Sequence, residues 1–279
     1  LLTGARPDEA ILANLKTDMM KSRADAKLNQ SRCFRALQQY MLYGGDFIRR
    51  TTLTNPALET TTSEALLAKI QDLLGKQHEV LYYGPQSEKE VTEALAAHHK
   101  TPAELQPLEK KHVQLLPTDE SRVLMAQYDA KQLYYMQFSN LGKQFDVTAD
   151  PEITLYNEYF GGGMNSIVFQ EMREARGLAY SAAARIMQPG YADMNYGYMA
   201  FIATQNDKMQ TAIEAFDEII NNMPESEAAF NIAKDGLISR LRTDRTVKDQ
   251  VLWSYIDQRD MGLTEDRNKQ IFEKVQSMT

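Results

Sequence analysis

The chain has 279 residues, 43% of them hydrophobic and 25% charged, which suffices for a sizeable core and excludes bulk disorder. Its formal net charge of −7 and pI near 5.3 argue against a phosphate-binding surface as the main function, so no nucleic-acid partner is expected. A single cysteine, Cys33, excludes an internal disulfide and a thiolate zinc site, and no apolar run approaches the ~18 residues a bilayer span needs.

In chain order, the opening LLTGARPDEA carries neither Met nor a signal-peptide pattern and reads as part of something longer. The compartment stays open between bacterial periplasm or cell envelope and cytoplasm. Residues 8–43 read as helical throughout, with Cys33 as a small buried hydrophobe, and Gly44 and Gly45 are expected to stop the run. The Thr-rich TTLTNPALETTT reads as a loop. SEALLAKIQDLLG reads as a helix with Ser63 as its cap, Leu66, Ile70, Leu73 and Leu74 as its apolar stripe, and Gly75 as its stop. HEVLYYGP is predicted to be a short strand closed by Gly-Pro, and residues 86–100 another helix. TPAELQPLEKKHVQLLP, with three prolines, reads as a linker over 101–117.

A second region spans 118–279. RVLMAQYDAKQLYYMQFSN predicts two strands around a turn at Asp129 and Ala130. A helix from 151 to 160 is interrupted by three glycines, and resumes with Met164, Ile167, Val168 and Met172 on one face and Asn165 or Ser166 as cap. LAYSAAARIM and YGYMAFIAT alternate as strands. NDKMQTAIEAFDEIINNM is a helix with the stripe Met209, Ile213, Phe216, Ile220 and Met223, and residues 225–262 predict one long helix or two joined by a bend. The fold class is therefore α+β, a mixed or antiparallel sheet covered by helices.

The stretch KSRADAKLNQSRCFRALQQYMLYGG shares its layout with LISRLRTDRTVKDQVLWSYIDQRDMGL: Ser-Arg, a polar run, an aromatic-apolar helix end, then Gly. A further helix follows each Gly, at 63–74 and at about 264–276. EVLYY follows the first copy, while the chain reaches Thr279 where the second copy's strand is due. Residues 1–100 thus read as the tail of one repeat and 118–279 as most of the next, lacking its final strand. The open sheet edge is expected to be covered by EVLYY at 79–83 or by a neighbouring molecule.

Arg173 and Tyr180 stand seven positions apart across an Arg-Gly turn. On pattern alone, Tyr180 could be a core tyrosine beside Leu178, Ala182, Ala184 and Ile186, and Arg173 a helix-end cation favoured by the dipole. They could equally be two halves of a site. The glycines 161–163 lack the Lys-Ser/Thr of a phosphate loop and any dinucleotide-binding spacing. A helix kink, or backbone passing close to a bound peptide with Gly161, Gly162 and Gly163 as substrate-binding positions, suits them better.

YFGGGMNSIVFQEMREARGLAYSAAARI resembles the second-domain signature of the pitrilysin/insulinase-like zinc metallopeptidases, and the likeness extends over about 120–279. Residues 8–85 resemble the closing helices and last strand of the preceding domain. The resemblance implies repeated α+β domains in two halves that close like a clamshell over a peptide or unfolded polypeptide. It implies zinc and the general base in the N-terminal half of the chain or in a partner subunit, and an Arg-Tyr pair, matched here by Arg173 and Tyr180, in the other. A phenol O–H can donate to the oxyanion of peptide hydrolysis, and a guanidinium can hold substrate carbonyls.

The histidines His78, His98, His99 and His112 form neither His-x-x-Glu-His nor its reverse. His98 and His99 are adjacent, so on a helix they point about 100° apart and suit one ion poorly. No metal site and no cofactor are expected in this chain. It reads as the non-catalytic, substrate-binding half of a zinc peptidase, inactive alone. The alternatives are a catalytically inactive scaffolding relative of the same fold and an unrelated α+β binding domain.

Overall fold

A computed structural model of the chain describes residues 4–109 and 111–279. Leu1–Thr3, at the head of the first predicted region, and Lys110, within the predicted linker, lie outside the described residues. No helix among the described residues is long and apolar enough to cross a membrane.

The first region is helical: α1 Glu9–Ala26, α2 Gln30–Thr51, α3 Asn55–Thr60, α4 Ser63–Asp72 and α5 Glu88–His98. The expected continuous helix breaks before Gln30, where Asn29 caps α2 by accepting from the Arg32 N–H. At Gly44 the run breaks as expected, so α2 is two helical segments joined by a kink. Gly44 takes φ 76°, ψ 178°, and the helix resumes, carried by the Tyr43–Phe47 ring contact and by Asp46 pairing with Arg49 and Arg50. The Thr-rich loop holds α3, started by Thr54 and Pro56. The cap of α4 is Thr62, one residue before Ser63, whose N–H is taken by Glu9 at 2.6 Å. The stripe residues Leu66, Ile70 and Leu73 are exposed to solvent.

EVLYY at 79–83 is not a strand, and neither is 122–129, where Val123 is 94% exposed. Both have strand-like composition, but a strand forms only by pairing, and among the described residues no strand pairs with either.

The second region carries an antiparallel sheet in the order β1-β3-β2, with β1 Gln132–Gln144, β2 Ser181–Met187 and β3 Asn195–Gln205. Ala184 faces Ala200 and Ala182 faces Ile202 across the β2–β3 pair. These small residues let α6 (Asp150–Phe160), α7 (Ile167–Phe169) and α8 (Met209–Asn221) pack closely, closing a core around Phe160, Val168, Met172 and Phe216. The buried face of α8 is Ala212, Ala215, Phe216 and Ile219, and Met209 and Met223 at the ends of the expected stripe lie in solvent. Met164 is exposed as well, ahead of the buried Ile167, Val168 and Met172. The long C-terminal helix is two, α9 Glu227–Thr243 and α10 Gln250–Asp260, followed by α11 Arg267–Val275. Leu155, Leu237, Ile271 and Val275 join α6, α9 and α11 in a second core. On the opposite sheet face, Phe34 of α2 meets Tyr134 and Phe201.

Side chains of this chain satisfy part of each sheet edge. At β2, Asn157 exchanges both hydrogen bonds with the Ile186 backbone, at 2.8 and 2.9 Å, as a paired strand would. At β1, Gln30 donates to the Gln132 carbonyl and Thr118 accepts from the Asn140 N–H. EVLYY covers neither edge.

Among its described residues the predicted linker has no helix or strand beyond an isolated bridge from Gln106 to Lys76, and its last residues are bound down. His112 stacks on Tyr191 at 3.6 Å and bonds Asp193, and Leu115 is buried. The Leu116 N–H donates to the Leu42 carbonyl, and its side chain fills the space beside Gly44.

Candidate functional site

The turn between α7 and β2 is built by its own backbone. After α7 the helix widens into a π-helix, Gln170–Ala175, so that the Arg176 N–H reaches the Glu171 carbonyl. Gly177 then takes φ 57°, a conformation that favours glycine. The Leu178 and Ala179 N–H groups both donate to the Met172 carbonyl, and Thr204 Oγ1 donates to the Leu178 carbonyl at 2.5 Å. Arg176 is held by Glu218 at 2.8 Å, a hydrogen bond that raises its pKa further, with Glu171 adding to it. Every residue of the turn thus has a fixed neighbour.

Tyr180 emerges from this frame. Its N–H donates to the Ala203 carbonyl at 2.8 Å, immediately before β2, while its side chain is 71% exposed. It is not a core tyrosine. Arg173 lies in the π-helix with its guanidinium over two rings, 5.0 Å from the centre of Phe169 and 5.9 Å from that of Tyr180. Glu174 is 3.6 Å away. The structure therefore brings Arg173 and Tyr180 together, with the cation against the phenol's face and both side chains open to solvent. Phe169 escaped the sequence reading; its only signal is its place four residues before Arg173.

Gly161, Gly162 and Gly163 lie farther along β2. A Cβ on Gly161 would sit 2.0 Å from the Ala184 carbonyl oxygen, so close backbone packing against β2 requires glycine there. A Cβ on Gly162 would meet the Asn157 carbonyl at 2.6 Å, while Gly163 has open space around it. Ala184 is four residues from Tyr180, roughly 13 Å along an extended strand.

Beside Tyr180 a cavity of about 190 Å³ opens between the start of β2 and the end of β3. Among the residues lining it are Gln132, Leu178, Thr204 and Lys208. It brings together three distant stretches of sequence, which is why no local pattern announces it.

Among the described residues, no three His, Cys, Asp or Glu side chains are placed to hold a metal ion. His78 and His99 meet edge-on, Nε2 to Nε2 at 2.7 Å, and His112 bonds Asp193. Among the described residues, these groups do not make up the donor set of a zinc centre.

The family pattern described as "Peptidase M16 inactive domain" matches residues 62–237, a stretch that includes Arg173, Tyr180 and the glycines. No curated protein matches the chain. Among solved structures, the chain is similar to a peptidase M16 inactive domain from Pseudomonas fluorescens, at 17% identity and TM-score 0.68, covering 98% of this chain and 65% of that one. It is similar to the periplasmic protease PqqL from Escherichia coli, at 14% identity and TM-score 0.68, covering 98% of this chain and 30% of that one. A mutant of the ferredoxin protease FusC in complex with Arabidopsis ferredoxin aligns at 12% identity and TM-score 0.63, covering 97% of this chain and 30% of that one. The chain thus spans less than two thirds of the length of these structures. The fold seen here, helices over a small antiparallel sheet, is theirs too. With the family pattern over more than half its length, this chain belongs to the pitrilysin/insulinase-like peptidase M16 family and carries that family's inactive domain.

Proposed function

We propose that this chain is the substrate-binding, non-catalytic half of a zinc-dependent peptidase, with the metal and general base supplied by the N-terminal half of the protein or a partner subunit. The observation that carries this reading is the pairing of Arg173 and Tyr180, exposed side chains held against each other on a turn fixed by the backbone hydrogen bonds of Arg176, Leu178, Ala179 and Tyr180. A rigid frame that presents a phenol and a guanidinium to solvent is organised for a ligand rather than for the core. Hydrolysis of a peptide passes through a tetrahedral oxyanion. The Tyr180 hydroxyl donates to that oxygen, and the Arg173 guanidinium holds carbonyls of the bound chain. Gly163, open on one side, leaves room for peptide backbone near β2. The FusC structure, a member of the same fold with a polypeptide bound, supports a polypeptide ligand.

The test is Tyr180→Phe in the full-length protein, assayed on a fluorogenic peptide beside a thermal melt. Turnover falls by about 10²–10³-fold, as for removal of one oxyanion donor, with little change in peptide affinity. The melt moves by less than about 0.5 kcal/mol, because the side chain is exposed. Arg173→Ala raises KM as well, since it removes a charge used in ground and transition states alike. Unchanged turnover in Tyr180→Phe sinks the role given to Tyr180, and a wild-type full-length protein with no turnover favours a scaffolding relative of the same fold.

A further inference from the structure

The cavity beside Tyr180 has a chemical character of its own. Its volume, about 190 Å³, is below the roughly 300–1,000 Å³ of small-molecule sites and suits a single side chain. Its lining includes one cation, Lys208, the amides of Gln132 and Gln205, and the phenol of Tyr180, and no carboxylate. The Lys208 ammonium gives one hydrogen bond to the Gly177 carbonyl, at 3.2 Å, and an ammonium carries three donors. Its bond to Gly177 holds it at the turn that sets Tyr180. Asp207 is next to Lys208 in sequence but does not line the cavity. The floor is fixed by the buried Thr204 bonding Leu178.

We infer that this cavity is a side-chain subsite for an acidic residue, Asp or Glu, of the bound polypeptide, read by Lys208. The inference rests on the reading that Arg173 and Tyr180 receive a peptide, and it adds which peptides are preferred. A carboxylate entering beside Tyr180 completes the donors of Lys208, and the amides of Gln132 and Gln205 supply further donors. A neutral isostere makes weaker bonds to the same groups, and a basic side chain is repelled.

The experiment uses the full-length protein and a series of fluorescein-labelled peptides of one parent sequence. One Gln at a time is replaced by Glu or by Lys, with affinity read by anisotropy and kcat/KM read on the same series. In the wild type, Glu at one position binds about tenfold more tightly than Gln, the scale of one charge-assisted hydrogen bond. Lys208→Gln reduces that ratio to near one, and Lys208→Glu turns the preference toward Lys at the same position. A series in which no Glu position gains affinity, or a gain that persists in Lys208→Gln, overturns the subsite. Peptides that bind and weaken in Arg173→Ala while showing no Glu preference remove the subsite alone. A protein that binds none of the series overturns both readings.

Discussion

Asp150 is 1% exposed, and both of its oxygens are met by side chains in the interior. Arg267 forks onto both of its oxygens, at 2.6 and 2.7 Å, and Gln188 bridges the two by donating to Asp150 and accepting from Arg267. The triad ties the start of α6, the end of β2 and the start of α11 together. Asp150→Ala leaves Arg267 without its carboxylate, and the expected cost is about 3 kcal/mol in urea unfolding, the low end for a broken buried pair because Arg267 remains partly exposed. Adding Arg267→Met restores part of that loss, since no uncompensated charge is left. A single variant within 0.5 kcal/mol of wild type, by the scale of ordinary surface changes, would show the triad to be dispensable. None of this network was legible in the sequence, because its members are separated by 38 and 79 residues and each is an ordinary polar residue in its own segment. Arg173 and Tyr180 stood out only through the motif's resemblance to the peptidase family, since pattern alone left them equally readable as a helix-end cation and a core tyrosine.

At the scale of elements, the two glycines of most contrast are neighbours but one. Gly161 lies with its backbone against Ala184, so Gly161→Ala drives a methyl into a carbonyl that cannot yield without moving β2. Gly163→Ala meets nothing within 4 Å. The first substitution is expected to lower stability by about 1–3 kcal/mol, as overpacking does, and to disturb the Tyr180 turn; the second stays close to wild type. Equal melting curves for the two would mean that β2 and the glycine turn are free to separate. The longer helices were legible in the sequence from their apolar period, while the break before Gln30 and the short α3 were not. Segments 79–83 and 122–129 were misread because strand composition is satisfied only by a partner elsewhere, and among the described residues no strand pairs with them. The stripe of α4 was read correctly as apolar, but Leu66, Ile70 and Leu73 are exposed rather than buried.

Over the whole molecule, the region before residue 118 and the sheet region share more surface than the sequence suggested. Phe34 packs on the outer sheet face, and the stretch from His112 to Thr118 lies across Tyr191, Gly197 and β1. A Cβ on Gly197 would stand 3.0 Å from Phe138 and 3.1 Å from Leu115, which shows how tightly that stretch is seated. Three prolines and a charged run read as a spacer because composition reports what a segment can avoid forming, not where its two or three apolar side chains end up. The segment just beyond, by contrast, is exposed at Val123 and Met125. A limited protease should therefore nick the chain between 119 and 131, and the two pieces should still co-elute on size exclusion, parting only when Leu115→Asp is combined with Phe34→Ser. Pieces that separate after the nick alone would contradict the packing. If they stay together, the peptide bond across that stretch is dispensable to the fold, and the two pieces, produced from separate messages, should find each other and reconstitute the same molecule.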